Sequence, residues 1–168
     1  MNKHRLFFAL AFAACISFAA CNKEESGHTL RVRLTDAPTA LDEVNVDLQQ
    51  VLVKMDRDSA AWITLKAVPG VYNLLDLQNG VDTLIAEGDV GTGTVKEIRL
   101  VLGENNSVVA NGETHDLTIP SGAQSGLKIK ISKPMRQTLD SLTIDFDAAL
   151  SVKQERDGYK LRPVLRVK

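Results

Sequence analysis

From Thr29 onward the apolar side chains recur at every second position, and that period decides the fold class. Leu30, Val32 and Leu34 alternate with Arg31 and Arg33, and Leu127, Ile129 and Ile131 with Lys128 and Lys130. Such alternation puts successive side chains on opposite faces of a half-buried strand, whereas a helix needs a spacing near 3.6. Turn-forming residues punctuate the runs at Thr35-Asp36-Ala37-Pro38, Pro69-Gly70, Asn79-Gly80, Asn111-Gly112 and Asp157-Gly158. Roughly ten short strands divided in this way predict an all-β chain, an antiparallel β-sandwich of immunoglobulin-like or transthyretin-like type.

The pattern also predicts local register. Val44, Val46 and Leu48 share one parity, but Val51, Val53 and Met55 take the other. A one-residue bulge near Gln49-Gln50 returns all six to the core face, because each bulge shifts the alternation by one. Asn111-Gly112 predicts a tight hairpin that sets Val108 opposite His115. Val71 to Leu77 reads as a strand, Val81 to Ala86 as a strand or a single helical turn, and Gly88 to Thr94 as a glycine-rich loop. Near the end, Leu142, Ile144, Phe146, Ala148, Leu150 and Val152 share one parity, and Tyr159, Leu161, Pro163, Leu165 and Val167 the other. A hairpin pairing Val152 with Leu161 then brings Phe146 opposite Val167 and Asp147 against Arg166, with both apolar sets on one side. Pro163 has no amide hydrogen and belongs at an edge or a bulge.

A different pattern occupies the start. Lys3, His4 and Arg5 precede an apolar run from Leu6 to Ala20, too short to span a bilayer, which takes about 20 residues,. A basic start, a short apolar middle and small residues before a cut describe a secretory signal. Phe18-Ala19-Ala20-Cys21 resembles the bacterial lipobox, whose cysteine is acylated and becomes the new N-terminus. Phe12-Ala13-Ala14-Cys15 spells the same tetrad, but a cut there leaves a shorter apolar core and an exposed apolar patch, so Cys21 is preferred. The resemblance implies several acyl chains on Cys21, and two or more hold a protein stably where one does so marginally. Lys23-Glu24-Glu25 resembles the acidic surface-export tag of lipoproteins from the Bacteroidetes group. The expected organisation is a signal peptide over 1–20, a lipidated flexible tether over 21–28 and a single β-sandwich domain over 29–168. The expected location is the bacterial outer membrane, with the cell surface as one possible face.

Composition narrows the functions. The 168 residues carry 20 basic and 21 acidic side chains, and a cut after Ala20 removes Lys3 and Arg5 and no acid. The remainder is net negative, which excludes the strongly basic footprint of a nucleic-acid binder. Of the two cysteines, Cys15 leaves with the signal and Cys21 is the lipid site, so no disulfide, catalytic thiolate or cysteine-ligated metal is expected,. No cofactor is expected either. Two histidines remain, His28 in the tether and His115 in a strand. No nucleophile-elbow pattern accompanies His115. Asp145 and Asp147, two apart, share a strand face, and paired carboxylates about 5–10 Å apart serve glycosidases. Outward acids on a sheet also pair with cross-strand cations, and Arg162 and Arg166 are at hand. Asp36 is a turn former that could cluster with Asp42 and Glu43 toward calcium, although no calcium-loop spacing occurs. The lone Trp62 is a core or rim aromatic or a sugar-stacking residue. Gly88 to Thr94 lacks the P-loop lysine and the following helix.

Several stretches taken together resemble one family. They are Leu30 to Pro38, Val44-Asn45-Val46, Trp62 to Leu65, Ile98 to Gly103, Pro120 to Lys128, Asp145-Phe146-Asp147-Ala148 and Leu161 to Val167. Their order is similar to the bacterial lipoprotein domain known as domain-of-unknown-function family 4382, and Thr35-Asp36-Ala37-Pro38 is the most specific part. Where the family pattern has an acid and a lysine after Phe-Asp-Ala, this chain has Ala149 and Leu150. The resemblance implies architecture and location and brings no activity. The expectation is a non-enzymatic lipid-anchored module that binds a glycan or protein partner or supports an envelope assembly, with Asp36, Trp62, Asp145 and Asp147 as candidate binding residues. The alternative is a small extracytoplasmic hydrolase using Asp145, Asp147 or His115.

Overall fold

A computed structural model describes residues 27–37, 39–58, 60–120 and 126–168. The signal cut and the lipid site at Cys21 lie outside these residues. So do Pro38 and most of the loop after Pro120.

The first strand, β1 (Thr29–Thr35), runs through the middle of a five-stranded sheet. Its neighbours are β6 (Thr83–Asp89) and β11 (Leu139–Phe146), with β4 (Lys66–Ala67) and β14 (Leu165–Val167) at the edges. Leu30, Val32 and Leu34 are buried, while Arg31 and Arg33 lie on the other face and pair with Glu87 and Asp82 of the neighbouring segment.

The second sheet is organised on β2 (Glu43–Met55) and β7 (Gly93–Leu102), with β10 (Leu127–Met135) at one edge. Beyond β2 run β8 (Ser107–Ala110), β9 (Glu113–Thr118), β13 (Gly158–Leu161) and β12 (Val152–Glu155), and the short β3 (Ile63–Thr64) and β5 (Gly70–Asn73) also pair with β2. The inner faces of the two sheets share one apolar core that includes Val32, Ile85, Ile98, Leu100, Ile144 and Phe146.

The all-β sandwich stands, but its sheets are mixed. β1 pairs with β11 in parallel, Leu30 against Asp140 and Thr35 against Asp145, and β13 pairs with β9 in parallel. Alternation is the same in parallel and antiparallel strands, so it fixes the faces and leaves the direction open.

Local register follows the sequence closely. The β2–β7 pairing shifts between Leu48 and Gln50, Gln49 and Gln50 are exposed, and Val44, Val46, Leu48, Val51, Val53 and Met55 are all buried. The β8–β9 hairpin sets Val108 opposite His115, and both turn residues, Asn111 (φ 55) and Gly112 (φ 77), are left-handed as a two-residue hairpin loop requires,.

Three expectations need correction. The run expected as a strand to Leu77 becomes a 3-10 turn over Leu74–Leu77, because the Asn73 side chain accepts from the Leu75 amide and caps it. The glycine-rich loop shrinks to Val90–Thr92, since Gly88 and Asp89 finish β6 and Gly93 and Thr94 begin β7. The last hairpin is broken: Val152 pairs with Leu161 as expected, but Phe146 meets Leu165, and Arg166 meets Asp145. Asp147 caps the single turn α1 (Ala148–Ser151), which carries the chain from one sheet to the other. The return at Arg162–Val164 docks on Ser151, whose carbonyl accepts from Arg162 N and whose hydroxyl accepts from Val164 N. The slide is two residues, so parity survives.

Candidate functional site

The parallel β1–β11 pairing gathers acids at one end of the five-stranded sheet. Asp36 follows Thr35, the partner of Asp145, and so reaches α1. One Asp36 oxygen accepts from Ala148 N at 2.8 Å and the other from Gln78 Nε2 at 3.2 Å. Burial pushes the Asp36 carboxyl above its ordinary range; these two donors oppose the shift, and the negative charge of Asp145 adds to it,. Asp147 Oδ1 accepts from Leu150 N at 3.0 Å as the cap of α1. Asp145 Oδ2 lies 3.2 Å from Lys168 Nζ, and Oδ1 is buried with no hydrogen-bond partner among the described residues.

The structure therefore brings Asp36, Asp145 and Asp147 to one corner but engages each in a fold contact. His115 is elsewhere, in the other sheet, with its ring centroid 4.9 Å from that of Tyr159. Asp42 accepts from Gly112 N in the hairpin turn rather than approaching Asp36. Among the described residues, no three His, Cys, Asp or Glu side chains converge as metal ligands. Trp62 is half-buried on the outer face of the larger sheet, with Arg99 Cζ 4.1 Å and Lys54 Nζ 4.8 Å from the ring centroid. These cations lie over the ring's π system, the surface on which a sugar would stack,.

Sequence reasoning missed a cavity of about 350 Å³ at the seam where the edge strands β10 and β14 face each other. Ile129, Ile131, Leu142, Leu165 and Val167 supply its apolar lining, and its charged lining is Lys130, Lys133, Arg166 and Lys168, with no acid. Counter-charges lie deeper: Asp140 is 3.4 Å from Lys133, and Asp147 is 4.0 Å from Arg166. The Arg166 and Lys168 side chains are 62% and 55% exposed, against 11% and 9% for Asp147 and Asp145, so a ligand meets the cations first. A larger hollow of about 610 Å³ has the opposite sign, lined by Glu104 and Asp116. The outward lysines Lys128 and Lys130 are a sequence mark of β10 as an edge strand, but nothing in the sequence placed that edge beside β14,.

The family pattern described as "Domain of unknown function (DUF4382)" matches residues 28–163. The chain belongs to this family. No curated protein and no solved structure matches the chain significantly. The matched stretch of the DUF4382 domain contains β1 to β13 and the acid corner, while β14, with Arg166 and Lys168 at the seam, lies beyond it.

Proposed function

We propose that this DUF4382 protein is a non-enzymatic module of the bacterial envelope, anchored in the outer membrane through lipid on Cys21, that binds a protein or glycan partner. The observation that carries the reading is how its charges are used. The acids that could serve catalysis, Asp36, Asp145 and Asp147, are buried and engaged by Ala148 N, Lys168 and Leu150 N. The cations Lys130, Lys133, Arg166 and Lys168 surround an open cavity with apolar walls, and Lys133, Arg166 and Lys168 lie between it and the deeper acids Asp140, Asp147 and Asp145. A few charged groups around an apolar hollow is the usual composition of a binding site.

The anchor is tested by replacing Cys21 with Ser. The variant is expected to fold, to lose palmitate labelling and to leave the membrane fraction. Continued sedimentation with membranes together with palmitate incorporation refutes the anchor. The binding role is tested by pull-down and glycan arrays with the full chain, beside a deletion strain. Absence of any ligand, with envelope assembly intact in the deletion strain, refutes it.

A further inference from the structure

The cavity at the seam adjoins a stretch of β11 that is paired on one side only among the described residues. β14 covers only Ile144–Phe146 of β11, and below that Lys168 N donates to Thr143 O. In an antiparallel pair, the residues that point N–H and C=O toward the neighbour alternate along the strand. Thr143 points toward β14, so Ser141 and Leu139 point the same way, past the end of β14. The even-numbered residues face β1, as Thr138 O does in accepting from Thr29 N. Among the described residues no strand pairs with that lower edge of β11. Ser141 lines the cavity, and Leu139 is 42% exposed.

The two facing edges are protected very differently. β10 carries Lys128, Lys130, Lys133 and Pro134, the residues that keep an edge from recruiting another strand,. The lower edge of β11 has Leu139, Ser141 and Thr143 on its outward parity and no such guard. It opens beside a cavity whose four charged lining residues are all cations.

We propose that this seam receives an extended acidic segment of a partner protein, added as a strand to β11 at Leu139–Ser141. The inference rests on the binding-module reading and names the chemistry of its partner. Backbone hydrogen bonds to Leu139 and Ser141 supply the pairing, as in other cases of strand addition. Alternate apolar side chains enter the cavity against Ile129, Ile131 and Leu142. The intervening acids face Lys130, Lys133, Arg166 and Lys168, and this charge match favours an acidic strand over a neutral one.

The test uses the full chain and a short labelled peptide alternating glutamate with valine, beside one alternating lysine with valine. Binding is read by fluorescence anisotropy, and its location by amide hydrogen exchange. The acidic peptide is expected to bind, to slow exchange at Leu139 and Ser141, and to weaken with added salt; the basic peptide is expected not to bind. Reversing two exposed cations together, Lys130→Glu and Arg166→Glu, is expected to weaken binding by about tenfold or more. Ser141→Pro removes a donor that serves no bond among the described residues, so it should leave thermal stability nearly unchanged and abolish binding,. The proposal is overturned if the acidic peptide fails to bind at millimolar concentration, or if protection appears elsewhere. It is also overturned if binding survives Ser141→Pro, or if polygalacturonate binds with the same charge dependence and no protection at Ser141, which is the glycan outcome. Concentration-dependent protection of these amides without peptide would assign the edge to a second copy and likewise remove the proposal. A partner captured on another face removes this inference and leaves the binding-module reading standing.

Discussion

Replacing Asp36 separates its role as an acceptor from its role as a charge. The side chain is 3% exposed, and its bonds to Ala148 N and Gln78 Nε2 tie the end of β1 to α1 and to the 3-10 turn. Asp36→Ala leaves the Ala148 amide, in a residue 0% exposed, without a partner. That orphaned donor costs about 1–3 kcal/mol, partly offset by release of a buried charge. Asp36→Asn keeps an oxygen for Ala148 N and removes the charge; Gln78 must turn its amide to present oxygen, losing its 3.4 Å contact to Ala37 O. The pH dependence gives the sign. Burial raises the folded-state pKa above the ordinary 3.8, so the folded protein keeps a proton that the unfolded chain has released. The contribution of Asp36 to stability is therefore greatest below 3.8 and falls as pH climbs through the raised value, whereas the Asn variant has no such loss,. Urea unfolding of all three proteins, from the acid range to neutrality, should show Asn gaining on Asp as pH rises and then levelling. Ala should lie below Asn by about 1–3 kcal/mol throughout. A difference between Asn and Asp that does not change with pH, or an Ala variant as stable as Asn, refutes the account of this corner.

Two further perturbations address the fold. Deleting Gln49 removes the bulge in β2 and forces either Val44, Val46 and Leu48 or Val51, Val53 and Met55 to the wrong face, so cooperative unfolding followed by circular dichroism should disappear,. Asp140 accepts from Gln137 N and Arg136 N and faces Lys133, and the Gln137 amide is the chief cause of its lowered pKa. Asp140→Ala should cost about 1–3 kcal/mol in urea unfolding at neutral pH. The natural protein's advantage is fully present above 3.8 and fades as pH falls through the lowered folded-state value, so an undiminished gap at low pH would contradict it,.

The faces of the strands were legible in the sequence because burial acts on every residue of a strand. The opposed parities around Gln49 therefore located the bulge, and Asn111-Gly112 located a hairpin through backbone chemistry confined to two residues. Partner and direction are set by contacts more than a hundred residues apart, so nothing local to β1 announced β11 as its parallel neighbour. The break after Phe146 had a local signal that alternation masked: Asp147 before Ala148-Ala149-Leu150 is a capping residue followed by good helix formers. Trp62 and Asp145 were visible as residue types, but Arg99 and Lys168, which lie against them, come from segments remote in the chain. The cationic seam was illegible for the same reason, since its four charges come from two edges that meet only in the folded chain.

The parallel pairing of β1 with β11 also sets an order of events in time. A strand made near the start of the domain lies between β6 and β11, so its sheet cannot close until Phe146 has been made. At about 5–20 residues per second, synthesis holds that position open for roughly 5–20 s. Contacts so distant in sequence also form slowly once the chain is complete. For that interval the smaller sheet stays open along one side of β1, and only an incompletely folded chain can pass a translocation pore. A protein proposed to work beyond the inner membrane thus has its delay in folding written into the middle strand of its smaller sheet.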